Sequence, residues 1–145
     1  MAESRFLYVT YIRAPAEAVF AALTDPAQNR VFWNGYHQES SWAVGADFAI
    51  VGPEGNAWDT GKVLAFDAPR SFEVTWLHQH DEAMKAEGVS TCRFDIEPMG
   101  PMTKLTVTHV SAVANSKLIE AVSTGWPMIC SSLKSLLETG KPLGA

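Results

Sequence analysis

Four histidines and two cysteines are the side chains here best suited to chemistry near neutral pH. His78-Gln79-His80 puts two imidazoles on one face of an extended segment, a spacing that can hold a metal ion, with His109 or His37 as a third ligand. No acidic side chain joins them on that face, so they read as polar rim residues, and no metal ion is expected. Cys92 and His109 fall opposite each other if their segments form a hairpin, which resembles a nucleophile and its base. No orienting carboxylate or oxyanion donor accompanies the pair. It therefore reads as pocket lining, with His109 also suited to bond a polar group of a ligand, and no catalytic residue is assigned. Asp47 and Asp59 stay open as a general acid or base. Glu73, Asp95 and Glu97 alternate away from the apolar face and read as solvated. Gly52-Pro53-Glu54-Gly55 is a turn, since no helix with a phosphate-loop pattern follows it, and no cofactor is expected.

Five tryptophans, Trp33, Trp42, Trp58, Trp76 and Trp126, stand beside these groups. Each combines a large apolar body with one N–H donor, which suits a pocket for rings as well as an ordinary core. Trp76 and Trp126 are the better pocket candidates.

The elements that position these residues follow from hydrophobic period. Residues 6–13 are aromatic and β-branched and read as a strand. Pro15 opens a helix with Val19, Phe20 and Leu23 inward, and Asp25-Pro26 ends it and starts a shorter one to about Val31. From residue 37 to 111 the period is two. Strands are expected at His37–Trp42, Asp47–Val51, Trp58–Phe66, Phe72–His80, Val89–Glu97 and Lys104–Val110. Asp81–Gly88 is a charged connector with one helical turn, either solvated or a lid. Leu118, Val122, Trp126, Ile129, Leu133 and Leu137 recur every three or four residues, which predicts a helix over about 115–138 ended by Gly140. Pro127 should kink or divide it. The sum is an α+β fold: a curved antiparallel sheet with one long helix across it, enclosing a packed core or a pocket.

Hairpin counting gives the facing residues. Pro98–Pro101 sets Ile96 opposite Leu105, Phe94 opposite Val107 and Cys92 opposite His109. Closing the preceding hairpin at Asp81–Gly88 sets Val74 opposite Phe94, Trp76 opposite Cys92 and His78 opposite Ser90. The rows then grade from apolar (Phe72, Ile96, Leu105) through mixed (Trp76, Cys92, His109) to polar (His78, Ser90, Ser111), an apolar base below a wetter mouth. The candidate ligand-binding set is Trp33, Trp76, His78, Cys92, Phe94, Val107, His109, Trp126, Ile129 and Leu133.

Composition bounds the function. The 145 residues predict one domain spanning 1–145 that buries roughly 70% of its unfolded surface. Hydrophobic residues make up 47% and charged residues 19%, a globular balance. The net charge of −5 argues against a nucleic-acid partner. The longest apolar run, Ala18–Leu23, is far shorter than the roughly 20 residues of a membrane span, and no membrane partner is expected. Met1-Ala2-Glu3-Ser4-Arg5 lacks the pattern of a signal peptide, and two separated cysteines suggest reduced thiols, so a cytoplasmic location is expected.

Particular motifs resemble a known family. Tyr8-Val9-Thr10-Tyr11-Ile12-Arg13-Ala14-Pro15, Glu17 and Val19-Phe20-Ala21-Ala22-Leu23-Thr24-Asp25-Pro26 are similar to the opening of homologues of the activator of heat-shock protein 90 ATPase. Ser41-Trp42 with Val44-Gly45, Gly61-Lys62-Val63-Leu64 and Pro69-Arg70 before Thr75-Trp76 match too. So do Gly125-Trp126-Pro127-Met128-Ile129, Leu133-Lys134 and Leu136-Leu137-Glu138. The resemblance implies the START-like, Bet v-like helix-grip fold of the SRPBCC superfamily, with two short helices after the first strand and a deep cavity between sheet and C-terminal helix. Relatives bind lipids, sterols, polyketides, plant hormones or antibiotics, and some cyclise or hydrolyse them. The eukaryotic co-chaperone stimulates a chaperone ATPase with an additional N-terminal domain, which this chain is expected to lack. Three functions follow as expectations. The first is binding of a small hydrophobic or aromatic molecule. The second is a cyclase or hydrolase in the same cavity, and the third a stress-related co-chaperone-like module with a protein partner. A monomer or a homodimer suits all three.

Overall fold

A computed structural model describes residues 3–143. The chain runs β1 (Ser4–Ile12), α1 (Ala16–Thr24), α2 (Pro26–Phe32), β2 (His37–Ser40), β3 (Asp47–Val51), β4 (Ala57–Asp67), β5 (Ser71–His78), α3 (Glu82–Ala86), β6 (Ser90–Met99), β7 (Met102–Ser111) and α4 (Lys117–Thr139). The seven strands form one curved antiparallel sheet in the order β1-β7-β6-β5-β4-β3-β2, and α4 packs on it: the helix-grip α+β fold.

Strict alternation of burial along β5, β6 and β7 defines the inner face. Phe72, Val74, Cys92, Phe94, Leu105 and Val107 on that face have no solvent exposure. From the helix side, Leu118, Trp126, Cys130 and Leu133 of α4 close the core. Ser116 caps α4, its Oγ accepting from Ile119 N at 3.1 Å, and Gly140 ends it in the left-handed conformation with φ 84°. Pro127 does not divide the helix, which is continuous from Lys117 to Thr139. Packing of the apolar stripe on the sheet outweighs the one backbone bond that proline removes.

Two devices set the geometry around the site. Asn29 is fully buried between α1, α2 and β2. Its Nδ2 donates to Ala22 O at 2.7 Å, and its Oδ1 accepts from Gln38 N at 2.8 Å, which fixes α2 and the Trp33 that ends it. On the sheet, Gly61 lies so close to β5 that a Cβ there would sit 1.9 Å from Thr75 O. β4 then slips register between Val63 and Ala65, a bulge that bends the strand.

The β6–β7 register matches expectation in every pair, including Cys92 with His109. The β5–β6 register does not. Val74 lies opposite Cys92 and Trp76 opposite Ser90, two residues from the expected pairing, so the inner face is kept but the rows change. The cause is the end of β5. Asp59 pairs with His78, and Gln79 N donates to Trp58 O at 2.8 Å, so the last residues of β5 stay with β4 after leaving β6. β5 therefore ends at His78 rather than His80, and β2 ends at Ser40 because Trp42 takes φ 64°. Phe66 and Trp58 are half-buried: Phe66 packs edge-on against Phe20 and stacked on Trp42, while Trp58 packs on Tyr36 and His80.

Candidate functional site

The inner face of β5–β7 carries a sealed polar chain beneath Trp126. Trp126 Nε1 donates to His109 Nδ1 at 3.3 Å, and His109 Nε2 lies 3.0 Å from Ser90 Oγ. Ser90 Oγ in turn donates to Trp76 O at 3.3 Å. Because Nδ1 accepts, the partners assign the neutral imidazole with its proton on Nε2. Burial lowers the His109 pKa to about 4, which keeps it in that form. His109, Ser90 and Ser111 thus form a buried polar layer rather than a wet mouth.

The expected pairing of Cys92 with His109 exists in register only. Both imidazole nitrogens already have other partners, and Cys92 is fully buried, which pushes its thiol well up. Cys130 on α4 is pushed up to about 12 for the same reason. Neither thiol is poised as a nucleophile.

The open part of the molecule lies where β4 begins and β5 ends, against α4. Asp59 Oδ1 accepts from Trp76 Nε1 at 2.8 Å and lies 2.9 Å from His78 Nδ1. Burial raises the Asp59 carboxyl above its ordinary value, against the lowering effect of His78 and Trp76. Above this pair is a pocket of about 180 Å³ lined by Trp33, Asp59, Trp76, His78, Met84, Leu118, Ala121, Val122, Gly125, Trp126 and Ile129. It adjoins a groove of about 590 Å³ between α2 and α4, lined by Phe32, Trp33, Asn34, Tyr36, Gly125, Pro127, Met128, Ile129, Ser131, Ser132 and Leu143. Trp33, Gly125 and Ile129 belong to both. The tryptophan rings stand at right distances for mutual support, Trp33 and Trp76 lying 5.6 and 5.7 Å from Trp126.

Of the ten candidate residues, Trp33, Trp76, His78, Trp126 and Ile129 meet at this cleft. Cys92, Phe94, Val107, His109 and Leu133 lie in the packed core and line neither pocket. The spacing of His78 and His80 does not bring two imidazoles to one point. His78 turns to Asp59, whereas His80 lies over Trp58 at 4.0 Å and its Nε2 is 3.2 Å from Ala57 O. His37 is on β2 beside Glu39, and no group of three or more His, Cys, Asp or Glu able to hold a metal occurs among the described residues. Asp47 is exposed and paired with Lys62.

Asp59 as the partner of His78, and Gly125 as the opening in the helix face, were not singled out together from sequence. The bulge in β4 hides the first, because period-two counting does not carry across it. A signal for the second existed: glycine directly before Trp126-Pro127 breaks an otherwise strong helix face. The Asp81–Gly88 connector does hold one helical turn, α3, and Met84 from it reaches the pocket. Glu87 accepts from Ser116 Oγ at 2.6 Å and Lys117 N at 2.7 Å, tying this connector to the start of α4.

The fold is shared with several solved structures. CalU16 from Micromonospora echinospora superposes with a TM-score of 0.76 at 21% identity, covering 95% of this chain and 76% of that one. The Aha1 dimer from Colwellia psychrerythraea gives 0.70 at 22%, covering 95% and 98%. An HSP90 activator from Plasmodium falciparum gives 0.66 at 22%, covering 84% and 86%. A comparison with curated proteins returns no match. No helix among the described residues is long and apolar enough to cross a membrane. The model of the family described as Activator of Hsp90 ATPase homolog 1-like protein matches residues 13–138, and with most of its length matched the chain belongs to that family.

Proposed function

We propose that this protein binds a small hydrophobic or aromatic molecule in the cleft between α2, α4 and the β4–β5 end of the sheet. The observation that carries this reading is the pair of adjoining pockets walled by Trp33, Trp76 and Trp126. A dry cavity of roughly 150 Å³ holds one benzene, and sites for larger molecules run from about 300 to 1,000 Å³. The small pocket, about 180 Å³, thus suits one ring, and the groove of about 590 Å³ suits the rest of a larger ligand. Native mass spectrometry after exposure to lysate tests this. A mass increment released on denaturation is expected for the wild type and is lost in Gly125→Leu, whose new side chain points into the cleft. A bare wild-type mass, under conditions that keep known complexes intact, counts against it.

A second reading, association with another copy of this chain, has its own observation. Edge strand β1 exposes Leu7, Val9 and Tyr11 on the face away from the core. The Colwellia relative is described as a dimer, which supports this reading. Sedimentation of the wild type as a dimer and of Leu7→Lys as a monomer would bear it out, and a monomeric wild type would end it.

A further inference from the structure

The Asp59–His78 pair stands where the ring of a ligand would end. Asp59 and His78 both line the small pocket. A carboxylate oxygen 2.9 Å from His78 Nδ1 holds the proton on that nitrogen. His78 Nε2 is then the free end of the ring. It has no hydrogen-bond partner within the described residues, and it is not among the sealed, unpartnered atoms. Trp76 Nε1 donates to the same Asp59 oxygen at 2.8 Å, so the carboxylate is locked by two donors and locks the imidazole in turn. The neighbouring imidazole of His80 packs on Trp58 at 4.0 Å, its centroid 6.4 Å from that of His78. The rest of the wall is Trp33, Met84, Leu118, Trp126 and similar apolar groups, so His78 and Asp59 are its ionisable members.

We infer that His78 Nε2 is the anchoring point for a hydroxyl carried by an aromatic ring, and that the ligands of this cleft are phenols or comparable hydroxylated rings with an apolar extension along the α2–α4 groove. The inference rests on the cleft being a binding site. A hydroxyl donates to the bare Nε2 that this tautomer presents, which an ether oxygen cannot do. The ring lies among the three tryptophans, and the extension leaves past Gly125 and Ile129, which with Trp33 are common to both pockets. Asp59 acts through His78 and is a positioning residue.

Three probes of one shape test this: 4-phenylphenol, 4-methoxybiphenyl and biphenyl-4-carboxylate, titrated against tryptophan emission and by calorimetry. The wild type is expected to bind the phenol about tenfold more tightly than the methyl ether, the size of one good hydrogen bond. In His78→Phe the ratio falls to about one. Asp59→Asn narrows the ratio, whereas a merely structural loss would weaken phenol and ether alike and leave the ratio unchanged. The His78 Nε2 chemical shift in the wild type, moved by the phenol and not by the ether, gives the same answer if either variant fails to fold. Equal binding of phenol and ether, or tighter binding of the carboxylate, overturns the anchoring role and leaves the cleft standing. Binding of none of the three overturns both.

Discussion

Two groups of aromatic rings share the interior and differ in what surrounds them. Around Phe72 are Phe94 at 4.6 Å, Trp42 at 5.0 Å, Phe20 at 5.8 Å and Phe66 at 6.4 Å. Around Trp126 are Phe94 at 5.4 Å, Trp33 at 5.6 Å and Trp76 at 5.7 Å. Ring number and spacing are much alike. The first group meets the second at Phe94, and its one polar ring, Trp42, makes no side-chain hydrogen bond among the described residues. The second sends two indole donors to His109 and Asp59, and faces a helix position without a side chain at Gly125. Aromatic content therefore does not separate a core from a cleft. A missing side chain and polar atoms behind the rings do.

The largest effect expected is from truncating the central ring of each group. Phe72→Ala should lose about 3–5 kcal/mol in denaturant unfolding, as buried aromatic truncations do. Trp126→Ala should lose that and about 1–3 kcal/mol more, since it leaves His109 Nδ1 buried without its donor. Only the tryptophan variant should alter ligand uptake. A greater loss from Phe72→Ala would reverse the ranking.

Acid should distinguish the groups next. His109 has its folded pKa lowered to about 4 from 6.5, so between those values the unfolded chain binds the extra proton. The stabilisation is complete above pH 6.5 and is lost as pH falls towards 4, on the order of 3 kcal/mol in all. Unfolding free energies taken from pH 7.5 to 4.5 should show this slope. His109→Phe should flatten it, and an unchanged slope would place the acid sensitivity elsewhere.

The smallest effect is the sharpest for the cleft. A Cβ at Gly125 meets no heavy atom within 4 Å. Gly125→Ala should raise stability by up to about 1 kcal/mol through helix propensity. A destabilised alanine variant would mean that the helix face is closed there.

Much of the fold was legible because period and turn chemistry agreed. The stripe on α4 and the Pro98–Pro101 hairpin gave the long helix and the β6–β7 pairs. The β5–β6 pairs were displaced because α3 interrupts their connection and β5 follows β4 beyond β6. At the site, parity placed Trp76, Cys92, Phe94, Val107 and His109 on the inner face correctly. Whether an inward side chain packs or lines a space depends on what stands opposite. Opposite Phe94 and His109 stands the Trp126 ring, and beside it Gly125 leaves room, a contrast visible only once α4 is docked.

The two buried thiols turn the molecule into its own clock. Cys92 belongs to the sheet and Cys130 to α4, and neither presents more than 1% of its surface. Modification by a thiol reagent must wait for the layer that holds the thiol to open. Both thiols face the seam between the inner face of the sheet and α4, so lifting of the helix uncovers both while the strands stay paired, and comparable labelling rates are the mark of that opening. A molecule trapped in the cleft against α4 would slow the labelling of both.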